Sequence, residues 1–278
     1  MGKILTDEAL TQYRDDGYFH PVSALDSGEV ARYRQALEAH ETTTGGPLSG
    51  AQRNKSHLLF RWVDEIMRNE TILDIAEDLL GPNILCWNTL FWIKEAHSSS
   101  FVSWHQDVRY WGLDTNDLVT IWVALSPANE RSGCMRVLPG SHREAVLPHR
   151  DEYHDDNMLT RGQSIAVEVD ESKTVSMPLA PGEVSIHNVQ VAHASGPNET
   201  DDRRIGLSLH YIPTHVRQVV GDWDSAALVR GTDEFGHFDR APPPSADMDQ
   251  DAVAYHERAS TALRDILFRE AQHVRPTL

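Results

Sequence analysis

The sequence predicts a mainly β fold, an antiparallel sandwich or barrel with helices packed around it. Three observations carry this. From about residue 83 the apolar residues leave a helical spacing for short runs of β-branched and aromatic residues that often alternate. Proline and glycine punctuate these runs, as in "LPGSH" and "LAPGEV". No βαβ rhythm interrupts them, as a parallel sheet would require.

The elements follow in order. Residues 6–16, "TDEALTQYRDD", open on Thr6 as an N-cap with acidic residues in the first turn, and Gly17 stops the helix. Residues 27–41 have helical spacing and end before the glycine-rich "TTTGGPLSG". Residues 61–81 read as one or two short helices. Strands are expected at 83–94, 118–125, 134–140, 164–169, 173–179, 183–189 and 204–213. After about residue 214 the pattern loosens. "RAPPPSADMDQD" (240–251) is a loop, and 252–271 an amphipathic helix. The organisation reads as one domain over 1–278. It has a helical part to about 82, a β core over about 83–215, and a C-terminal extension with a helix over about 216–278.

Composition narrows the function classes. Lys and Arg total 25 against 42 Asp and Glu, a formal net charge of −17. That argues against nucleic acid or an anionic membrane as partner, since both need clustered positive charge. Cys86 and Cys134 form no CxxC pair, which excludes zinc-finger and thioredoxin chemistry and leaves two free thiols. The N-terminus is polar, and no apolar run reaches the roughly 18 residues of a membrane span. A cytoplasmic protein acting on a small molecule is expected.

"SWHQD" places His105 and Asp107 two residues apart. On a strand, side chains at i and i+2 share a face, so the two fit a metal site or a hydrogen-bonded pair. An iron site of the two-histidine-one-carboxylate type needs one more histidine. The chain has fifteen. His142, His149 and His154 lie in a polar stretch, and His256 lies on the C-terminal helix. His187 and His193 flank strand ends, and the spacing to Arg204 favours His193. Arg204 follows His193 by eleven residues and opens the next strand. Ile205, Leu207 and Leu209 form an apolar row there. Arg204, Gly206, Ser208 and His210 form the opposite row, directed into the barrel. A buried arginine needs an anionic partner, and no acidic residue shares its row. Arg203 has the other phase.

"SWHQD", "GCMRVLPGSHR", "HASG" and "RRIGLSLHYIP", in this order, resemble the phytanoyl-CoA dioxygenase family of iron(II)- and 2-oxoglutarate-dependent oxygenases. The opening "LTDEALTQYRDDGYFHPVSALDSGEVARYRQALE" is similar to that family's N-terminal helices and first strand. The resemblance covers roughly residues 5–215. It implies a double-stranded β-helix, the cupin-like jelly roll, with Fe(II), 2-oxoglutarate and O2 as reactants. The metal triad falls on His105, Asp107 and His193. Arg204 corresponds to the arginine that clamps the far carboxylate of 2-oxoglutarate. Ser195 and Trp122 match residues that help hold or line that pocket, and Asn88 is a weaker polar contact.

The implied reaction is hydroxylation of an unactivated C–H bond in a small metabolite, with release of succinate and CO2. Related halogenases carry a small residue where Asp107 stands, so halogenation is disfavoured. Desaturation, cyclisation or demethylation at the same iron stay open, as do a non-catalytic 2-oxoglutarate-binding module and a cupin-like enzyme with another metal. Trp104 and Trp111 fit packing or pocket walls. Arg109 and Tyr110 fit a substrate contact or a solvated rim. His187 and His210 fit satisfied strand histidines or groups behind the ligands. The run at 150–157 fits a solvated loop or a lid. The polar 141–180 segment favours a small polar or charged substrate. The net charge disfavours a polyanionic CoA ester unless a local basic patch overrides it.

Overall fold

The computed structural model describes residues 2–269 and residue 271. Thr6 accepts a bond from the Ala9 N–H and starts helix α1 (Asp7–Asp16), which Gly17 ends in the left-handed conformation, φ 84°. Strand β1 (Tyr18–Ser23) leads to α2 (Ser27–Thr44), opened by a capping box between Asp26 and Glu29. The stretch 61–81 resolves into two helices, α3 (Arg61–Met67) and α4 (Glu70–Leu80), because the Asn69 side chain caps a fresh start.

The β core follows: β2 (Ile84–Lys94), β3 (Val102–His105), the short α5 (Val108–Trp111), β4 (Val119–Ala124), β5 (Met135–Val137), β6 (His149–Asp151), β7 (Gln163–Ile165), β8 (Val175–Met177), β9 (Glu183–Asn188), β10 (His193–Ser195) and β11 (Arg204–Pro213). The chain closes with β12 (Ser225–Arg230), β13 (Asp239–Arg240) and α6 (Gln250–Leu267). The large sheet runs β1-β9-β4-β11-β2-β12-β13, and the small sheet β3-β10-β5-β8. All pairs in both are antiparallel except β12 with β13. This is the expected mainly β jelly roll with flanking helices.

Alternation decides which face each row meets. Ile205, Leu207 and Leu209 of β11 and Val119, Ile121 and Val123 of β4 are fully buried in one core with Leu37, Val63, Ile66 and Ile72 of the N-terminal helices. Each such side chain contributes about 1.5–3 kcal/mol by leaving water. The opposite rows line a cavity between the sheets. A β-bulge shapes it. The β11·β2 register steps from His210↔Asn88 to Tyr211↔Cys86, leaving Trp87 unpaired with β11. Consecutive residues Trp87 and Asn88 therefore both line the cavity.

Three expectations change. The strand expected over 164–169 shortens to Gln163–Ile165, paired only with β6. The loosened region after 214 contains β12, which pairs with β2 and extends the large sheet. The C-terminal helix ends at Leu267, and residue 270 of its expected span lies outside the described residues. Among the described residues no helix is long and apolar enough to cross a membrane.

Candidate active site

Strand β3 ends at His105, and Asp107 does not continue it. Asp107 takes helical dihedrals, φ −61° and ψ −42°, at the entry to α5. The shared strand face expected for the pair is thus replaced by a corner that swings the carboxylate back, with His105 Nε2 3.3 Å from Asp107 Oδ1. Strand β10 pairs with β3 and sets His193 opposite His105, their ring centroids 4.1 Å apart. His193 Nε2 lies 4.0 Å from Asp107 Oδ1. One ligand atom from each of the three residues falls within 4.8 Å of the others.

Both imidazoles are oriented from behind. His105 Nδ1 donates to Ser103 O (2.9 Å) and His193 Nδ1 donates to Val191 O (3.0 Å). Each Nε2 then carries a lone pair, and His105 Nε2 is buried without a hydrogen-bond partner. Two lone pairs and a carboxylate converge with no hydrogen between them, an arrangement a divalent cation completes. Burial pushes the Asp107 carboxyl up, but the imidazoles of His193, His105 and His187 outweigh it and hold it well below the carboxylate range. Burial, reinforced by His105, holds His193 well below the usual imidazole value, in its ligating neutral form. Gln106 pins the corner. Its N–H donates to His149 Nε2 (3.0 Å) and its side chain bonds Gln190 O (2.7 Å) and Leu147 N–H (2.8 Å).

Arg204 lines the deep end of the cavity, and Lys94 is buried behind it, bonded to the lining residue Ser195. Arg204, 2% exposed, donates Nη1 to Gly133 O (3.2 Å) and lies 5.3 Å from the Trp122 ring, while its Nε and Nη2 have no partner. Across the β11·β2 pair stands Lys94, fully buried, whose Nζ donates to Ser195 Oγ (2.7 Å) and to Gly196 O. No carboxylate among the described residues pairs with either. Burial, with Arg204 adding to it, lowers the Lys94 ammonium to about 6, and burial lowers Arg204 to about 10. Gly206 makes room for this end, because a Cβ there would sit 1.8 Å from the Trp122 ring.

Sequence reasoning missed Lys94, and placed Ser208 on the barrel-facing row without giving it a role. The signal was present: Asn88, Leu90, Trp92 and Lys94 form one row of β2, and Arg204 faces Lys94 in register. Asn88 lines the cavity, but its Oδ1 accepts the Lys55 N–H (2.9 Å) and is engaged. Ser195 ends a buried strand as a partner of Lys94.

Toward the mouth the walls are largely apolar: Trp87, Tyr110, Trp111, Leu159, Leu263 and Leu267. His187 Nε2 lies 3.9 Å from Asp107 Oδ2, and the His210 ring packs 4.6 Å from Trp111. Burial lowers His210 to about 4. Both imidazoles line the chamber with Nδ1 unpartnered, so neither is a satisfied strand histidine. Arg161 ties the mouth together. It donates Nη1 to Leu267 O and Arg269 O (3.1 Å each) and Nη2 to Asp151 Oδ2 (2.6 Å), and it lies 4.4 Å from the Tyr110 ring. The segment expected to be polar thus contributes Leu159 and a fully engaged arginine. Trp104 lies outside the chamber lining, and exposed Arg109 lines a neighbouring cleft.

Residues 13–206 match the family model of phytanoyl-CoA dioxygenase (PhyH). A solved structure of the non-heme monooxygenase ThoJ in its apo form is 36% identical, with a TM-score of 0.83, covering 96% of this chain and 99% of that one. A Stutzerimonas stutzeri protein described as "probable alpha-ketoglutarate-dependent hypophosphite dioxygenase" is 27% identical over 234 residues, 77% of this chain and 81% of that protein. Human peroxisomal phytanoyl-CoA dioxygenase is 27% identical over 231 residues, 75% of this chain and 68% of that protein.

Proposed function

The chain belongs to the phytanoyl-CoA dioxygenase family of iron(II)- and 2-oxoglutarate-dependent oxygenases, and we propose that its own reaction is hydroxylation of an unactivated C–H bond in a small molecule. One observation carries the reading. A single chamber is lined both by converging ligand atoms of His105, Asp107 and His193 and by the buried Arg204 guanidinium, whose Nε and Nη2 have no partner among the described residues.

In this reading His105, Asp107 and His193 would hold the metal. Bound iron(II) supplies O2 activation coupled to decarboxylation of 2-oxoglutarate, with succinate and CO2 released. Arg204 and Lys94 hold the far carboxylate of 2-oxoglutarate, with Ser195 steadying the Lys94 ammonium. Trp122 forms the pocket wall, and Asn88 contributes its remaining amide group. Charge-assisted bonds from such groups are the strong class, and burial strengthens them. Trp111, Leu263 and Leu267 keep water from the reacting centre. This chemistry requires no protein general base. The Asp107 carboxylate fills the position a halide would require, which favours hydroxylation over halogenation.

The test is succinate release under O2 with Fe(II), 2-oxoglutarate and a panel of small molecules, with Asp107→Ala as control. Hydroxylation gives a product heavier by one oxygen atom. A product lighter by two hydrogens replaces it with desaturation, and succinate release equal in the Asp107→Ala variant overturns the iron site.

A further inference from the structure

Beside the chamber lies a second cleft. Tyr110 and Arg161 line both, and form the wall where the two meet. Arg109, Arg150, Asp151 and Arg269 complete the charged lining of the cleft. Four arginines thus share one aspartate, in a chain whose formal net charge is −17.

Two of the arginines are accounted for. Arg161 spends its Nε and Nη2 on Asp151 (3.3 and 2.6 Å) and its Nη1 on the carbonyls at the end of α6. Arg150 pairs with Glu152 at 2.9 Å. Arg109 and Arg269 differ. Both are exposed. Among the described residues the Arg109 guanidinium has only the Tyr110 ring, 5.8 Å away. Arg269 gives one Nη1 hydrogen to Val220 O (3.0 Å). Among the described residues no carboxylate pairs with either. His149 adds no charge partner, since its nitrogens are taken by Leu147 O and the Gln106 N–H. Those bonds do tie the cleft to the corner that carries Asp107.

We propose that this cleft is an anion site that holds a phosphate- or carboxylate-type group of the substrate, while the carbon skeleton extends past Tyr110 into the chamber. The chemistry of the walls supports this division. Guanidinium groups with unused donors suit planar or tetrahedral oxyanions. Among the described residues the chamber mouth offers apolar and aromatic surface and no free cation, so a charged group finds its counter-charge in the cleft. Arg109 stands two residues past Asp107, so a group held there is fixed relative to the reacting centre, which is what orientation requires. A local basic cleft also overrides the repulsion that the overall negative charge imposes on an anionic substrate.

The use of the cleft by substrate rests on the proposed oxygenase function; its capacity to bind an anion does not. The probe is inorganic phosphate, titrated calorimetrically into protein already loaded with metal and 2-oxoglutarate, so that the Arg204 end is filled. Saturable binding is expected that weakens with salt. It should fall at least about tenfold in the Arg109→Ala/Arg269→Ala double variant, as expected on losing one or more charge-assisted bonds. The double variant should keep the wild-type affinity for 2-oxoglutarate, which separates failure of this site from failure of the iron-site reading. No phosphate binding, or binding unchanged in the double variant, overturns the proposal. With a panel substrate that releases succinate, phosphate should raise KM and leave kcat unchanged. Phosphate that binds without raising KM overturns the assignment of the anion to the substrate.

Discussion

At the deep end of the chamber, Lys94, Trp122, Ser195 and Arg204 come from strands β2, β4, β10 and β11, at positions set by sheet register. At the mouth, Tyr110 comes from a four-residue helix, Leu159 and Arg161 from an irregular segment, and Leu263 and Leu267 from the C-terminal helix. The deep end is held by ladders of backbone hydrogen bonds whose outer faces are clamped under the helices. The mouth is held by side chains, with Arg161 as its main tie. A rigid end suits chemistry that does not vary. An end assembled from loops and a terminal helix can change its substrate without disturbing that chemistry. Breaking each end should therefore have different consequences.

The largest effect is expected from Asp107→Ala, which removes the only carboxylate of the triad. Succinate production should fall to background and metal should no longer be retained on desalting, while secondary structure by circular dichroism stays unchanged. Next comes Arg204→Ala. Losing two or more charge-assisted bonds to a buried carboxylate should weaken 2-oxoglutarate binding by roughly a hundredfold. Arg204→Lys should not restore it, because a point ammonium cannot make the planar fork. Arg161→Ala tests the other end. It should raise the substrate KM and speed amide exchange at the end of α6, with 2-oxoglutarate affinity kept within about twofold. A large loss of 2-oxoglutarate affinity in Arg161→Ala would show that the ends are not independent.

The smallest effect is the most specific. Lys94 has its pKa lowered to about 6 when the deep end lacks an anion, so near pH 7.5 it is mostly neutral there. A carboxylate arriving beside it favours the ammonium and raises that value. Binding of 2-oxoglutarate should therefore take up a proton, and affinity should strengthen as pH falls from 7.5 toward 6. Calorimetry in buffers of different ionisation enthalpy measures this directly. Binding heats that do not depend on the buffer would mean that Lys94 is already charged in the free protein.

The same contrast explains what the sequence made legible. On β11, alternation alone separated Ile205, Leu207 and Leu209 from Arg204, Ser208 and His210, and the structure sets the first row under the helices and the second in the chamber. Period-two patterns survive folding because the sheet cannot rotate one side chain without rotating its neighbours. Lys94 was equally legible by its row, at the end of β2 opposite Arg204. Asp107 was placed near His105 by spacing, yet for the wrong local reason, since a corner and not a strand joins them. Trp87 and Asn88 facing the cavity together could not be read, because a bulge is a property of the pairing and not of either strand. Nor could the mouth: Arg161 meets Leu267 across 106 residues through an irregular segment, with no periodicity to announce it.

The central claim is that one chamber unites a metal triad with a carboxylate clamp. Its most direct test is anaerobic calorimetric titration of 2-oxoglutarate into the protein with and without Fe(II). The structure predicts one-to-one binding that requires the metal and collapses in Arg204→Ala. Binding of equal strength without metal, or undiminished in Arg204→Ala, would contradict it.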